Sequence, residues 1–222
     1  MSTYTWGFPT RIFHLFLVLF IIIAWISADD DYLQIHSAFG YAIGVLILFR
    51  LTWGVIGPKY SHFKDFNFSI KKAFDFSKNV FNNHEKHLGH NPAASLVLFT
   101  LLIVILFIVI TGVLALGAQD AKGVFASLNL TSFKELELFE ELHEISANVM
   151  LVLIGAHLSG LLLDWFFHKE EGTLLSIVKG SKNIKGEDAK INFFQAIIAF
   201  LFFVLMLMSL YFTFTNLPLL YS

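Results

Sequence analysis

"ELHEISANVMLVLIGAHLSG" runs from Glu141 to Gly160. Most of the stretch is apolar enough for a bilayer, yet it holds two ionisable side chains, His143 and His157. Ionisable residues inside a membrane are costly and mark function by default. Fourteen residues carry an α-helix through nearly four turns, to within about 40°. The two imidazoles therefore share one face, roughly 21 Å apart along the axis.

The rest of the chain fits a membrane setting. It has 222 residues, 56% apolar and only 14% Asp, Glu, Lys or Arg, against roughly 25% charged in a soluble domain. Phe occurs 26 times, which suits lipid-facing helices. Cysteine is absent, which excludes thiolate metal sites, Cys-ligated iron–sulfur clusters and covalent c-type haem. The net charge of −2 gives no sign of a nucleic-acid partner.

About 20 apolar residues span a bilayer as a helix. Five stretches qualify, near Arg11–Ala28, Leu33–Ile56, Ala93–Ala118, Leu142–Trp165 and Asn192–Thr215. The third and fifth hold neither charge nor histidine. Ile26–Ala28 loosely resembles a signal cleavage site, but a single Arg before a long apolar run reads as a retained span. Ser132 with Glu135 fits a capping box, which predicts that the fourth helix starts near Phe133.

Basic residues set the expected orientation. Thirteen of the 15 fall on one side, in the loops Gly57–Pro92 and His168–Ile191 or at Arg11 and Arg50; only Lys122 and Lys134 lie opposite. The rich side is read as cytoplasmic, with the N-terminus inside and the C-terminus outside. The other side is acidic, with Asp29–Asp31, Asp120, Glu135, Glu137, Glu140, Glu141 and Glu144. That surface suits a basic periplasmic partner, although the positive-inside bias alone also leaves few basic residues there.

His14 begins the first span from the inner side, and His36 opens the second from the outer side. By depth they match His157 and His143. The expected pairs are thus His36 with His143 and His14 with His157, two bis-histidine sites suited to b-type haem iron. Gly40 and Gly44 follow His36 on its face, and Gly155 and Gly160 flank His157, where a porphyrin needs small neighbours. Arg11 and Arg50 lie at the inner depth as candidate propionate contacts, with interfacial snorkelling as the ordinary alternative. For any one of the four histidines alone, a polar helix–helix contact would serve as well.

These residues resemble the bacterial cytochrome b561 and nickel–iron hydrogenase cytochrome b subunit family. The likeness runs from about Trp6 to Gly180 and rests on ordered motifs: "WGFPTRIFHLFL", "IHSAFGYAIGVLILFRLTWGVIGPKYSHFKDF", "GHNPAASL" and "LHEISANVMLVLIGAHLSG". It implies an all-α integral membrane protein with a four-helix transmembrane bundle holding two b haems. It implies His14, His36, His143 and His157 as iron ligands, paired as above. The cofactors are then two b-type haems, with quinone as substrate. By likeness to formate dehydrogenase cytochromes, quinone is expected near Asn91, with His90 close by. The expected organisation is residues 1–180 as the cytochrome domain and 181–222 as a cytoplasmic linker and a fifth transmembrane helix. The expected function is electron transfer between the quinone pool and a periplasmic or membrane-associated redox partner, such as a hydrogenase-like protein or a cytochrome c. The setting is a respiratory chain of the bacterial inner membrane, the chain acting as an electron-transfer subunit rather than a stand-alone enzyme. Alternatives are a superoxide:quinone oxidoreductase, as among smaller relatives, and a haem-free proton-coupled transporter or scaffold.

Weaker signals lie in the inner loops. Ile70, Phe74, Ser77 and Phe81 align on one face of an amphipathic stretch. His84, His87 and His90 form H-x-x-H-x-x-H, a spacing that could bind a metal on a helix but is read as solvated loop histidines because Gly89 and Pro92 oppose a helix, with His90 a further candidate for relaying protons to a quinone. Asp164 and His168, four apart, form a helix-end pair with a further reading as proton carriers.

Overall fold

A computed structural model describes residues 2–79 and 85–216. Five helices are long and apolar enough to cross a membrane. They are α1 (Phe8–Ile26), α2 (Leu33–Ile56), α4 (Pro92–Ala118), α5 (Leu138–Phe167) and α7 (Phe193–Asn216). Two short helices, α3 (Ile70–Lys78) and α6 (Thr173–Lys179), lie between them, and β1 (Thr3–Tyr4) pairs antiparallel with β2 (Ser181–Lys182). Each spanning helix meets the requirement that backbone polar groups in lipid be satisfied internally.

Local chemistry places the helix ends. Asn91 is the N-cap of α4: the Ala94 N–H donates to its Oδ1 at 2.8 Å, and Pro92 fills the first helical position, where no N–H is needed. Asn192 and Gln195 cap α7 reciprocally, each side-chain oxygen accepting from the other's backbone N–H at 2.8–2.9 Å. At the far end of α4 the Asn129 amide donates to the carbonyls of Ala118 and Gln119, which the helix itself leaves unpaired. The start of α5 differs from the capping-box expectation. Residues Ser132–Glu135 form a separate 3₁₀ turn capped by Thr131, and Glu137 takes a left-handed φ of 46°. That residue interrupts helical geometry, so α5 begins at Leu138.

The described chain divides into two compact units, each discontinuous in sequence. The first comprises Met1–His14, Arg50–Leu102 and Val152–Ala199. Its core includes Trp6, Phe13, Trp53, Tyr60, Phe66, Ile184 and Ala189. The N-terminal segment is tied in by backbone: the carbonyl of Gly180 accepts from Thr5 and Trp6, and that of Tyr4 accepts from Ala189. Gly180 caps α6 with a φ of 85°, and a Cβ there would meet the Tyr4 ring at 2.7 Å, so glycine serves both the turn and the close approach. Trp53 Nε1 donates to Thr10 Oγ1 at 3.0 Å, and the Gln195 amide donates to the carbonyl of Ile56 at 2.7 Å.

The second unit comprises Leu15–Phe49, Ile103–Leu151 and Phe200–Ser222. Ala38, Ala42, Leu46, Ile47 and Phe49 line α2 with almost no exposure. Aromatic contacts bind α7 to this row: Phe49 meets Phe202 and Phe203, and Phe39 meets Phe214. Ring pairs of this kind add about 0.5–1.5 kcal/mol each beyond their buried area. The fifth span is thus a packed part of the molecule, joined to α2 in both units.

Candidate haem and quinone sites

In the second unit His36 and His143 face each other, with ring centroids 5.8 Å apart and planes at 77°. Each ring is held by its Nδ1. His36 Nδ1 lies 2.8 Å from the carbonyl of Ala24. His143 Nδ1 lies 2.9 Å from the carbonyl of Ile108. A carbonyl only accepts, so both Nδ1 atoms carry the proton and both Nε2 atoms are free lone-pair donors. This is the outer-shell arrangement that fixes the ring of a metal-binding histidine. A metal held between two imidazoles at about 2 Å from each nitrogen sets the ring centroids about 6 Å apart, close to the observed spacing.

The holding groups follow from local structure. Ala24 lies in the last turn of α1, where carbonyls lack intrahelical partners, and the Ala28 N–H goes to Trp25 instead. Ile108 belongs to α4, a helix without histidine, so sequence reasoning passed over it. Gly112 stands one turn further along. A Cβ there would lie 2.8 Å from both Cε1 and Nδ1 of His143. Its glycine is what admits the ring. Gly112 is one of several small residues in α4, beside Ala115, Gly117 and Ala118, so nothing in the sequence marked its role.

The small residues divide into two kinds. Gly40, Gly155 and Gly160 face open space, whereas Gly44 packs against Val109 of α4, where a Cβ would approach to 3.1 Å. Gly40 sits one turn from His36, so space lies beside that ring. Of the five spans α5 is the least covered by protein, consistent with a helix that faces a large planar group.

In the first unit His14 and His157 lie within electrostatic reach of each other. Arg11 donates through Nη2 to the carbonyl of Val178, while its Nε is buried without a hydrogen-bond partner. Arg50 donates to the carbonyl of Ser61 at 3.2 Å, and its guanidinium lies 4.8 Å from the centre of the Phe63 ring. Gly54 lets that ring in: a Cβ there would fall 2.1 Å from Phe63 Cε2. Among the described residues no carboxylate pairs with either arginine. A partly buried cation without an anion is unfavourable, and carboxylates such as haem propionates answer that need. The His36–His143 ring spacing, with both Nδ1 atoms committed to carbonyls, fits a b-type haem there, and arginines without a carboxylate partner among the described residues suit propionates in the first unit.

His90 departs from its expectation as a solvated loop residue. Its ring stacks on Trp6 at 5.0 Å and meets Phe66 edge-on at 4.9 Å. Burial, reinforced by the positive charges of Arg50 and Lys182, pushes its pKa down to about 3. It is neutral at physiological pH and does not take up a second proton there. The sequence placed it in a loop, but only the fold brings Trp6 and Phe66 to it. Asn91 spends its side-chain oxygen on the α4 cap. His87 meets Phe76 edge-on, and His84 lies outside the described residues. Among those residues no group of three or more His, Asp or Glu gathers as a metal site.

Two other expectations concern the periphery. Ile70 and Phe74 of α3 are exposed on one face, as the amphipathic reading requires; Phe81 lies outside the described residues. Asp164 Oδ1 and His168 Nδ1 stand 3.8 Å apart.

Comparison with known proteins supplies the family. No curated protein and no solved structure matches the chain. The family model for prokaryotic cytochrome b561 matches residues 5–180. Five candidate spans and that match, which contains all four paired histidines, identify the chain as a member of the prokaryotic cytochrome b561 family, a multi-pass membrane b-type haem cytochrome of electron transfer.

Proposed function

We propose that the chain carries two b-type haems, one between His36 and His143 and one between His14 and His157. With His36, His143, His14 and His157 as its holders, the cofactor would supply one-electron transfer. The observation that carries this reading is the His36–His143 pair, with both Nδ1 atoms committed to carbonyls and both Nε2 atoms left free. Arg11 and Arg50 hold the propionates of the inner haem.

In this reading electrons move between the quinone pool, met at the cytoplasmic side near His90 and Asn91, and a redox partner at the acidic outer side. The protein sits in a bacterial inner membrane with its N-terminus cytoplasmic and its C-terminus periplasmic, following the basic-residue bias. His90 lies within electrostatic reach of His157, which supports placing quinone beside the inner haem. His90 contributes there as a neutral, stacked ring. Asn91 orients the start of α4 and keeps its amide N–H groups for a ligand.

The test is haem stoichiometry on purified protein by pyridine haemochrome. Two b haems per chain are expected in the wild type, and one in His143→Ala. Unchanged haem content in that variant, with the protein inserted, would refute the ligand assignment.

A further inference from the structure

Resting on the quinone reading above, we propose that Glu171, His168, Asp164 and Lys182 form the proton path serving quinone chemistry at the inner site. Oxidising a quinol breaks two O–H bonds. Two electrons leave in single steps to haem iron, and two protons need acceptors; reduction of a quinone runs the same balance backwards. Groups beside the site must therefore take or give protons.

The obvious carrier fails. His90 is neutral down to about pH 3, and the Nε2 atoms of His14 and His157 are assigned to iron. Asn91 does not titrate. A buried side chain able to exchange a proton reaches the residues next to His90: Lys182 of β2. It is 3% exposed, and its Nζ donates to the carbonyls of His87 and Gly89 at 2.9 and 3.1 Å. Gly89 adjoins His90, so this ammonium stands at the edge of the proposed site.

Behind Lys182 lies a run of titratable groups. Asp164 of α5 and Glu171 of the following turn are both within its electrostatic reach. Asp164 Oδ1 is 3.8 Å from His168 Nδ1, and its Oδ2 is buried without a hydrogen-bond partner. An unpartnered carboxylate oxygen beside an imidazole is a place for a proton or a water, and backbone bonds tie the segment to β2: the Glu171 N–H donates to the carbonyl of His168, and the Glu171 carbonyl accepts from Asn183, next to Lys182, each at 2.9 Å. His87, packed from the preceding loop, also senses Asp164 and Lys182, and its near neighbour Glu85 lies 3.7 Å from its Nε2. Lys86 acts on Glu171. Arg50, on α2, carries the remaining charge near His90.

The proton affinities are graded suitably. Burial holds Lys182 at about 8, well below an ordinary lysine. Burial, together with Asp164, raises Glu171 above the usual carboxylate range. Both shifts bring the groups nearer to neutral pH, where proton exchange is fast in both directions.

The experiment follows haem reduction by menadiol in stopped flow from pH 6 to 9, on detergent-solubilised full-length protein, with haem content and dithionite-reduced spectra as controls. Asp164→Asn should be reduced at least about fivefold more slowly than wild type, with haem content unchanged, and Asp164→Glu should restore the rate. Lys182→Met, with normal haem content, should lose any break in the profile near pH 8. Wild-type rates and an unaltered pH profile in Asp164→Asn would overturn the path, as would wild-type behaviour in Lys182→Met. Slow reduction of Asp164→Asn that Glu does not restore would also overturn it, leaving a purely structural carboxylate. A wild type that menadiol does not reduce at all would remove the quinone reading itself, and the path with it.

Discussion

Under the proposed two-haem reading, Gly112→Ala tests whether α4 positions the haem at His143 without supplying a ligand. The new Cβ would stand 2.8 Å from the His143 ring, against an ordinary contact of about 3.4 Å or more. The ring must retreat by about 0.6 Å. Its Nδ1 would then lie about 3.5 Å from the Ile108 carbonyl, at which distance the hydrogen bond is lost. Losing an outer-shell partner of a metal-binding histidine costs 10–100-fold in affinity, about 1.4–2.7 kcal/mol. The assay is haem retained per chain after dilution with apomyoglobin as acceptor, with the reduced difference spectrum. Gly112→Ala should lose one haem 10–100-fold more readily and keep the other. Alanine otherwise favours a helix over glycine by about 1 kcal/mol, so general destabilisation is not the expected effect. Equal retention of both haems in Gly112→Ala would refute the idea that the Ile108 carbonyl and Gly112 hold His143.

Arg50→Leu should lower the midpoint potential of the inner haem by on the order of 60 mV, a tenfold shift for one electron, because a nearby cation favours the reduced form. Arg50→Lys should recover much of that in a redox titration, and equal potentials in all three proteins would remove the arginine–propionate contact. Reduction by a basic soluble electron donor should slow as salt rises, as expected if the acidic outer surface steers it; a rate indifferent to ionic strength would argue against steering. His90 should make the fold acid-sensitive. Its folded pKa of about 3 lies below the ordinary value, so the unfolded chain binds the extra proton between about pH 6.5 and 3. Stability therefore falls as pH drops through that window. His90→Phe keeps an aromatic ring there and should flatten this part of the melting-temperature profile. An identical acid profile in wild type and His90→Phe would refute the burial argument.

Span positions were legible because long apolar runs admit one reading in a bilayer. The pairing of His36 with His143 was legible too, since helical rise converts residue number into depth. The aromatic cover of Arg50 depends on Phe63 and Gly54, a contact the sequence did not show. What stayed hidden depends on contacts distant in sequence. Trp6 reaching His90, and Lys182 reaching the carbonyls of residues 87 and 89, join segments 84 to 95 residues apart. No local pattern encodes them. The role of Ile108 was hidden for another reason: its contribution is a backbone carbonyl, which every residue possesses. Asn91 was read for its chemistry, although Asn before Pro at a helix start is itself a capping signature. The start of α5 was misplaced because a capping box says nothing of the left-handed turn at Glu137.

The two carbonyls that hold the outer pair have a bearing on how the protein is made. His36 is oriented by Ala24, twelve residues back, and His143 by Ile108, thirty-five back. Each ring is thus fixed within its own helical hairpin, α1 with α2 and α4 with α5. Contacts so near in sequence form early as a chain is synthesised and inserted. Imidazole freedom is then already lost before cofactor is captured, and preorganisation of this kind strengthens binding. If His36 and His143 hold the cofactor as proposed, its insertion joins two finished halves of a clasp, and its rate should track the meeting of the hairpins rather than the ordering of either histidine.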